Sequence, residues 1–254
     1  TQNMEALSKY EDTIKRTKEF VLVNRDAVEH MQGIPDKSVD LLLTDPPYGI
    51  DVDKNAMTLG GKTGGENTTT GISYNDTAEY ALNLCGVLAK ESYRFCKPTS
   101  HAFVFCAPSN FYTIKEMFNL AGWNCAERPV IWIKRASGQN NCPERWFSSA
   151  YEMILYARRE ESSLLIQGKP DWIQCDPVNP SERIHQAEKP LPLLKELISR
   201  VALPGSYVYD PFAGSGAAIE AAVEMKMLAL GCELAMESYV NMLARMTKWL
   251  ENRK

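Results

Sequence analysis

Only Thr44 separates Asp45, Pro46, Pro47 and Tyr48 from an apolar run that ends in Leu41, Leu42 and Leu43, so the four residues should sit at the mouth of a buried strand. As chemistry, the set suits a planar amino group. An exocyclic amine on a purine or pyrimidine ring is a poor nucleophile, because its lone pair is delocalised into the ring. The Asp45 carboxylate and the Pro46 carbonyl oxygen can accept the two amino hydrogens, draw the nitrogen toward tetrahedral geometry and stabilise the positive charge that grows on it. Consecutive prolines restrict the backbone and preorganise these acceptors. Tyr48 offers an aromatic face to a base taken out of its stack. The plainer alternative is that Asp45 caps a turn, the prolines end a strand and Tyr48 packs.

A second group, Asp210, Pro211, Phe212, Ala213, Gly214, Ser215 and Gly216, lies between the short apolar segment 207–209 and an alanine-rich helical pattern. Strand, tight turn and helix start follow one another. Glycines are needed where a ligand must approach the backbone closely, and the free N–H groups of a helix start can face its polar atoms. Glu233 comes 17 residues after Gly216, at the next strand end. That is close to the roughly 20-residue offset at which an acid grips ribose hydroxyls in nucleotide-binding folds. Turn and acid together indicate a ligand with an adenosine part. Only Gly214 and Gly216 are present and Asp210 opens the turn, so the three-glycine dinucleotide pattern is missing. A carboxylate there repels a pyrophosphate and suits a cation. S-adenosylmethionine, with its sulfonium and ammonium groups, fits better than NAD.

The elements that must position these residues alternate between strand and helix. Strands are expected at residues 20–24, 39–44, 101–106, 130–133, 151–157, 207–209 and 227–232, and helices at 26–31, 77–95, 111–121, from 190 onward, 217–225 and 236–250. Residues 4–18, with Met4, Leu7, Tyr10 and Ile14 at helical spacing, predict a docking helix. Segments 136–146 and 168–180 read as irregular. Residues 51–75 hold five of the chain's 15 glycines (Gly60, Gly61, Gly64, Gly65 and Gly71) and predict a long mobile loop. The alternation predicts an α/β fold, a mostly parallel sheet with helices on both faces.

At 254 residues the expectation is a single catalytic domain over 1–254. The hydrophobic fraction of 44% and the charged fraction of 24% are ordinary for a soluble globular protein. No apolar run approaches a membrane span and no secretory leader is visible, although the sequence opens at Thr1 and shows nothing upstream. Seven cysteines, an odd number with no Cys-x-x-Cys pair, read as reduced thiols of a cytosolic protein. His30, His101 and His185 join no carboxylate at metal-ligand spacing, so no metal is expected. The net charge of −4 gives no global attraction to a polyanion, and a nucleic-acid substrate would need local positive surface.

Together the two motifs resemble those of the S-adenosylmethionine-dependent DNA amino-methyltransferases. Asp45-Pro46-Pro47-Tyr48 looks like their catalytic motif and the segment 210–216 like their cofactor motif. Residues 24–48, with Asp26-Ala27 and Pro35-Asp36-Lys37-Ser38-Val39-Asp40, are also similar, as is His185-Gln186-Ala187-Glu188-Lys189-Pro190. The resemblance covers residues 20–245. The catalytic motif precedes the cofactor motif, which matches the circularly permuted β subgroup. The resemblance implies a Rossmann-like methyltransferase fold. In its cofactor pocket Asp26 and Ala27 meet the adenine, Glu233 the ribose and Asp210 with the 212–216 turn the methionine part, while Asp45 and Lys189 border the same space. The plainer alternatives are that Asp26 simply caps the short helix after it and that Lys189 is a solvated residue ahead of a helix.

The same resemblance implies site-specific methylation of the N6 of adenine in double-stranded DNA, with base flipping, because an Asp at the first motif position is the usual choice for adenine. N4-methylation of cytosine is the alternative, and a non-catalytic DNA-binding subunit a further one that the intact motifs disfavour. The target-recognition region is expected at about 134–185, where seven basic residues face seven acidic ones; residues 86–135 are richer, with seven Lys/Arg and three Glu. The 51–75 loop, directly after Tyr48, is a candidate lid over the flipped base. A homodimer and a restriction endonuclease counterpart are partners the resemblance allows, in a bacterial or phage-encoded cytoplasmic enzyme.

Overall fold

The computed structural model describes residues 14–47, 78–134, 142–179, 181 and 188–253. Tyr48, the 51–75 segment, Arg135 and the residues 185–187 lie outside them, as do the expectations placed there. In chain order the elements are β1 (Ile14–Arg16), β2 (Phe20–Asn24), α1 (Ala27–Gln32), β3 (Val39–Thr44), α2 (Ala78–Phe95), β4 (Cys96–Cys106), α3 (Phe111–Ala121), β5 (Asn124–Cys125), β6 (Val130–Ile133), β7 (Tyr151–Arg158) and β8 (Trp172–Gln174). They continue with α4 (Leu191–Val201), β9 (Tyr207–Asp210), α5 (Ala217–Glu224), β10 (Leu228–Glu233) and α6 (Met236–Glu251).

Leu41, Leu42 and Leu43 are fully buried because β3 is covered on both faces. Leu41 and Leu43 join the core made with α4, α5 and α6, and Leu42 the core made with α1, α2 and α3. Such two-sided burial produces the continuous apolar stretch seen in the sequence. Asp40 is the exception, tied to the Lys97 ammonium at 2.8 Å and to the Tyr207 N–H at 2.9 Å, so it joins β3 to β4 and β9. The flanking helices pack by spacing: Leu193, Leu194, Leu197 and Ile198 form the buried face of α4, and Tyr239, Met242, Leu243, Met246 and Trp249 that of α6.

The sheet order is β1-β2-β10-β9-β3-β4-β7-β6-β8, with β5 paired to β7. From β2 to β4 every neighbour is parallel, while β1 and β7 run antiparallel to their partners. The expected mostly parallel α/β sheet is therefore present, with antiparallel edges. The C-terminal strands β9 and β10 insert between β2 and β3. From β3 the chain leads through α2 to β4, and from β9 through α5 to β10, in opposite directions along the sheet. The gap between the ends of β3 and β9 is the switch point where such folds bind ligands.

Two sequence expectations change. Residues 14–16 are a strand paired to β2 rather than the end of a helix, because the free edge of β2 offers backbone partners that outweigh a weak local helical pattern. Residues 172–174 are not irregular: they pair with β6, and Ile173 is buried in the process. The strand expected at 151–157 is present within the 134–185 region as β7, which runs between β4 and β6 with Ile154, Leu155 and Ala157 fully buried. The region's remaining described parts, 142–150 and 159–179, lie on either side of that strand. Among the described residues no helix is long and apolar enough to cross a membrane.

Candidate active site

The switch-point gap holds two carboxylates. Asp210 ends β9, is 4% exposed, and accepts a 2.6 Å hydrogen bond from the Thr44 hydroxyl and a 3.0 Å one from the Phe212 N–H. Burial pushes its carboxyl up to about 7, against the lowering effect of those two hydrogen bonds, and the nearby Asp45 and Glu233 charges add to the rise. Asp45 follows Thr44 at the end of β3, a quarter exposed, yet its Oδ1 is buried and accepts no hydrogen bond among the described residues. A buried carboxylate oxygen without a donor is the exception in folded proteins. Pro46 is buried beside it and Pro47 partly so.

Beyond Asp210 the chain turns sharply. Gly214 and Gly216 have φ of +51° and +81°, in the left-handed region that favours glycine. The two differ in what surrounds them. A Cβ on Gly216 would lie 2.7 Å from Met242 Cγ, whereas one on Gly214 would point into open space. Gly216 is therefore required by packing against α6, while Gly214 keeps its backbone accessible. Ala213 and Ser215 are buried, and Pro211 lies with them. Glu233 at the end of β10 faces the turn: its Oε2 accepts from the Gly214 N–H at 2.9 Å and its Oε1 from the Ala235 N–H at 2.8 Å. Asn24 sits opposite Glu233 in the sheet, so Asp26 emerges beside it. There Asp26 Oδ1 caps α1 through the N–H groups of Val28 and Glu29, at 2.9 and 3.1 Å, and Ala27 is buried. The capping alternative for Asp26 is realised.

Lys189 is not solvated. It is 7% exposed, with its ammonium 2.6 Å from Asp45 Oδ2, 3.2 Å from Glu152 Oε2 and 5.0 Å from the centre of the Phe105 ring. Glu152 in turn holds Lys134 at 2.6 Å, and that ammonium lies 4.7 Å from the centre of the Trp132 ring. Burial raises the Glu152 carboxyl, but Lys189 and Lys134 outweigh it and hold the pKa below the usual carboxylate value. For Lys189 burial lowers the pKa, and Asp45 and Glu152 more than reverse that.

The neighbouring Glu188 points the other way. It pairs with Arg245 of α6, whose guanidinium also lies 3.2 Å from Glu220 and donates to the Ser215 hydroxyl at 3.3 Å. The 188–189 pair thus joins the glycine turn to Asp45.

Sequence reasoning missed Thr44, Glu152 and Arg245. Each left a faint signal: a hydroxyl ending an apolar strand, a lone acid in the apolar stretch 151–157, and a base among the buried positions of the last helix. Among the described residues no group of three or more His, Cys, Asp or Glu side chains could hold a metal ion.

The fold is a mostly parallel α/β sheet whose crevice between β3 and β9 holds two carboxylates beside a glycine turn. The chain matches the DNA methylase family N6_N4_Mtase over residues 39–245 and belongs to that family. It is 25% identical over 215 residues to the type II methyltransferase M.HinfI of Haemophilus influenzae, an alignment covering 77% of this chain and 59% of M.HinfI. Among solved structures, the M1.HpyAVI complex with S-adenosylmethionine superposes with a TM-score of 0.66 at 20% identity, covering 89% of this chain and 98% of that one. The PvuII cytosine-N4-specific DNA methyltransferase superposes with a TM-score of 0.68 at 15% identity, over 89% of this chain and 86% of its own. The chain has the fold of these methyltransferases.

Proposed function

We propose that the protein is a site-specific DNA methyltransferase that methylates the exocyclic N6 of adenine in double-stranded DNA, on a base flipped from its stack. Asp45 Oδ1, a buried acceptor without a donor at the crevice between β3 and β9, carries the reading. The methyl donor is S-adenosylmethionine, which supplies an electrophilic methyl group on a sulfonium. The residues present fit it: the open space over Gly214 admits a ligand, the buried Asp210 faces a cation, and Glu233 and Asp26 close the far side at adjacent strand ends. Asp45 and the Pro46 carbonyl receive the amino hydrogens of the target base and stabilise its growing positive charge. Asp45 then accepts the proton that the methylated nitrogen releases.

The choice of adenine rests on Asp45 at the first motif position. The likeness to the PvuII enzyme favours N4 of cytosine as a second reading. Incubation with unmethylated DNA and methyl-labelled S-adenosylmethionine, followed by digestion to nucleosides, separates them: label in N6-methyladenine is expected, and label in N4-methylcytosine overturns the base assignment.

DNA is read by the parts of 134–185 outside β7. Arg145, Trp146 and Phe147 are well exposed there, on the connection that leaves β6 at Lys134 and enters β7 before Glu152. A homodimer and a restriction endonuclease counterpart remain parts of this proposal, as does a bacterial cytoplasmic location, for which the free state of all seven cysteines is suitable.

A further inference from the structure

We infer that Glu152, outside both motifs, is a positioning residue for methyl transfer: it shares the Lys189 ammonium with Asp45 and so fixes the carboxylate that receives the amine. This rests on the methyl-transfer reading above. The four side chains form a row of alternating charge, Lys134, Glu152, Lys189 and Asp45, with successive contacts of 2.6, 3.2 and 2.6 Å. Lys189 engages Asp45 through Oδ2 alone, which turns Oδ1 toward the site without a protein donor. Glu152 Oε2 meets the same ammonium at 3.2 Å as an ion pair.

The row sums to zero. Without Glu152 the ammonium would belong wholly to Asp45, and the row would carry a net positive charge beside the reacting nitrogen as it becomes positive. That opposes the transition state and leaves the ground state largely untouched. The placement follows from the fold, because β7 runs antiparallel beside β4 and its start brings Glu152 to the catalytic end of the sheet. Lys134 holds the far side of the carboxylate, at the end of β6.

The test compares wild type with Glu152→Gln in methyl-labelled transfer to DNA, with donor affinity by calorimetry and a melting curve for each. The expected result is a kcat lower by about 10- to 100-fold, as for other displaced reacting groups, with the Kd for S-adenosylmethionine and the KM for DNA within about threefold. An unchanged kcat, or a loss confined to KM or to donor Kd, overturns the assignment. If Glu152→Gln does not fold, Lys134→Met decides. That change leaves Glu152 free to draw Lys189 from Asp45, and kcat should fall about 3- to 10-fold with donor affinity unaltered; an unaltered kcat overturns the assignment. A wild type that labels no DNA removes the methyl-transfer reading itself, and this inference with it.

Discussion

Replacing Asp210 with Asn separates what the carboxylate costs the fold from what it gives the ligand. The residue is 4% exposed, and its pKa rises from 3.8 to about 7. A carboxyl with a raised folded-state pKa holds its proton more tightly folded than unfolded. It therefore costs stability as pH climbs from the unfolded value through the folded one. Between pH 5 and pH 8 the loss is about 3 kcal/mol, two pH units at about 1.4 kcal/mol each. Asn keeps the acceptor oxygen that Thr44 and Phe212 use, at 2.6 and 3.0 Å, but never ionises. The stability of Asp210→Asn relative to wild type should thus grow by about 3 kcal/mol from pH 5 to pH 8 in urea unfolding, with other titrating groups cancelling in the difference. Parallel pH dependences in the two proteins would refute the reasoning. The variant should also bind S-adenosylmethionine more than about tenfold more weakly at pH 8, for want of a countercharge.

Other substitutions probe the supporting contacts. Gly216→Ala forces a side chain into φ +81° and onto Met242, and should lower stability by about 2 kcal/mol in denaturant unfolding; a loss below about 0.5 kcal/mol would show that the turn yields. Arg245→Met removes the guanidinium that pairs with Glu188, whose side chain is 4% exposed, and with Glu220, and should destabilise by about 3 kcal/mol while weakening donor binding through Ser215. A melting temperature equal to that of wild type would contradict this. Arg145→Glu should reduce the salt dependence of DNA affinity by roughly one or two phosphate contacts, and an unchanged slope would remove this loop from the interface.

The parallel core was legible because two-sided burial leaves apolar runs such as 41–43 and helix faces such as 193–198, signals that depend on local pattern alone. The edges were not. Strands 14–16, 124–125 and 172–174 are two or three residues long and exist because a neighbouring strand offers its backbone, which no local periodicity records. The same division runs through the site. Asp45, Asp210 and the glycine turn stand at strand ends, which a mostly parallel sheet gathers on one edge, while the pairing of β3 with β9 came from the fold. Glu152 reaches Lys189 only because β7 reverses direction, and Arg245 reaches Ser215 across 30 residues of chain. Lys189 was placed at the cofactor pocket, and the fold brings it onto Asp45, a contact that depends on how the 188–190 segment crosses the end of the sheet.

Under the proposed function Asp45 receives the reacting amine and does not hold the donor. The most direct test of this is Asp45→Ala, measured for methyl-labelled transfer to DNA and, by calorimetry, for S-adenosylmethionine binding. Transfer should fall at least about a hundredfold while donor Kd stays within about threefold. Transfer that persists near the wild-type rate would contradict the account.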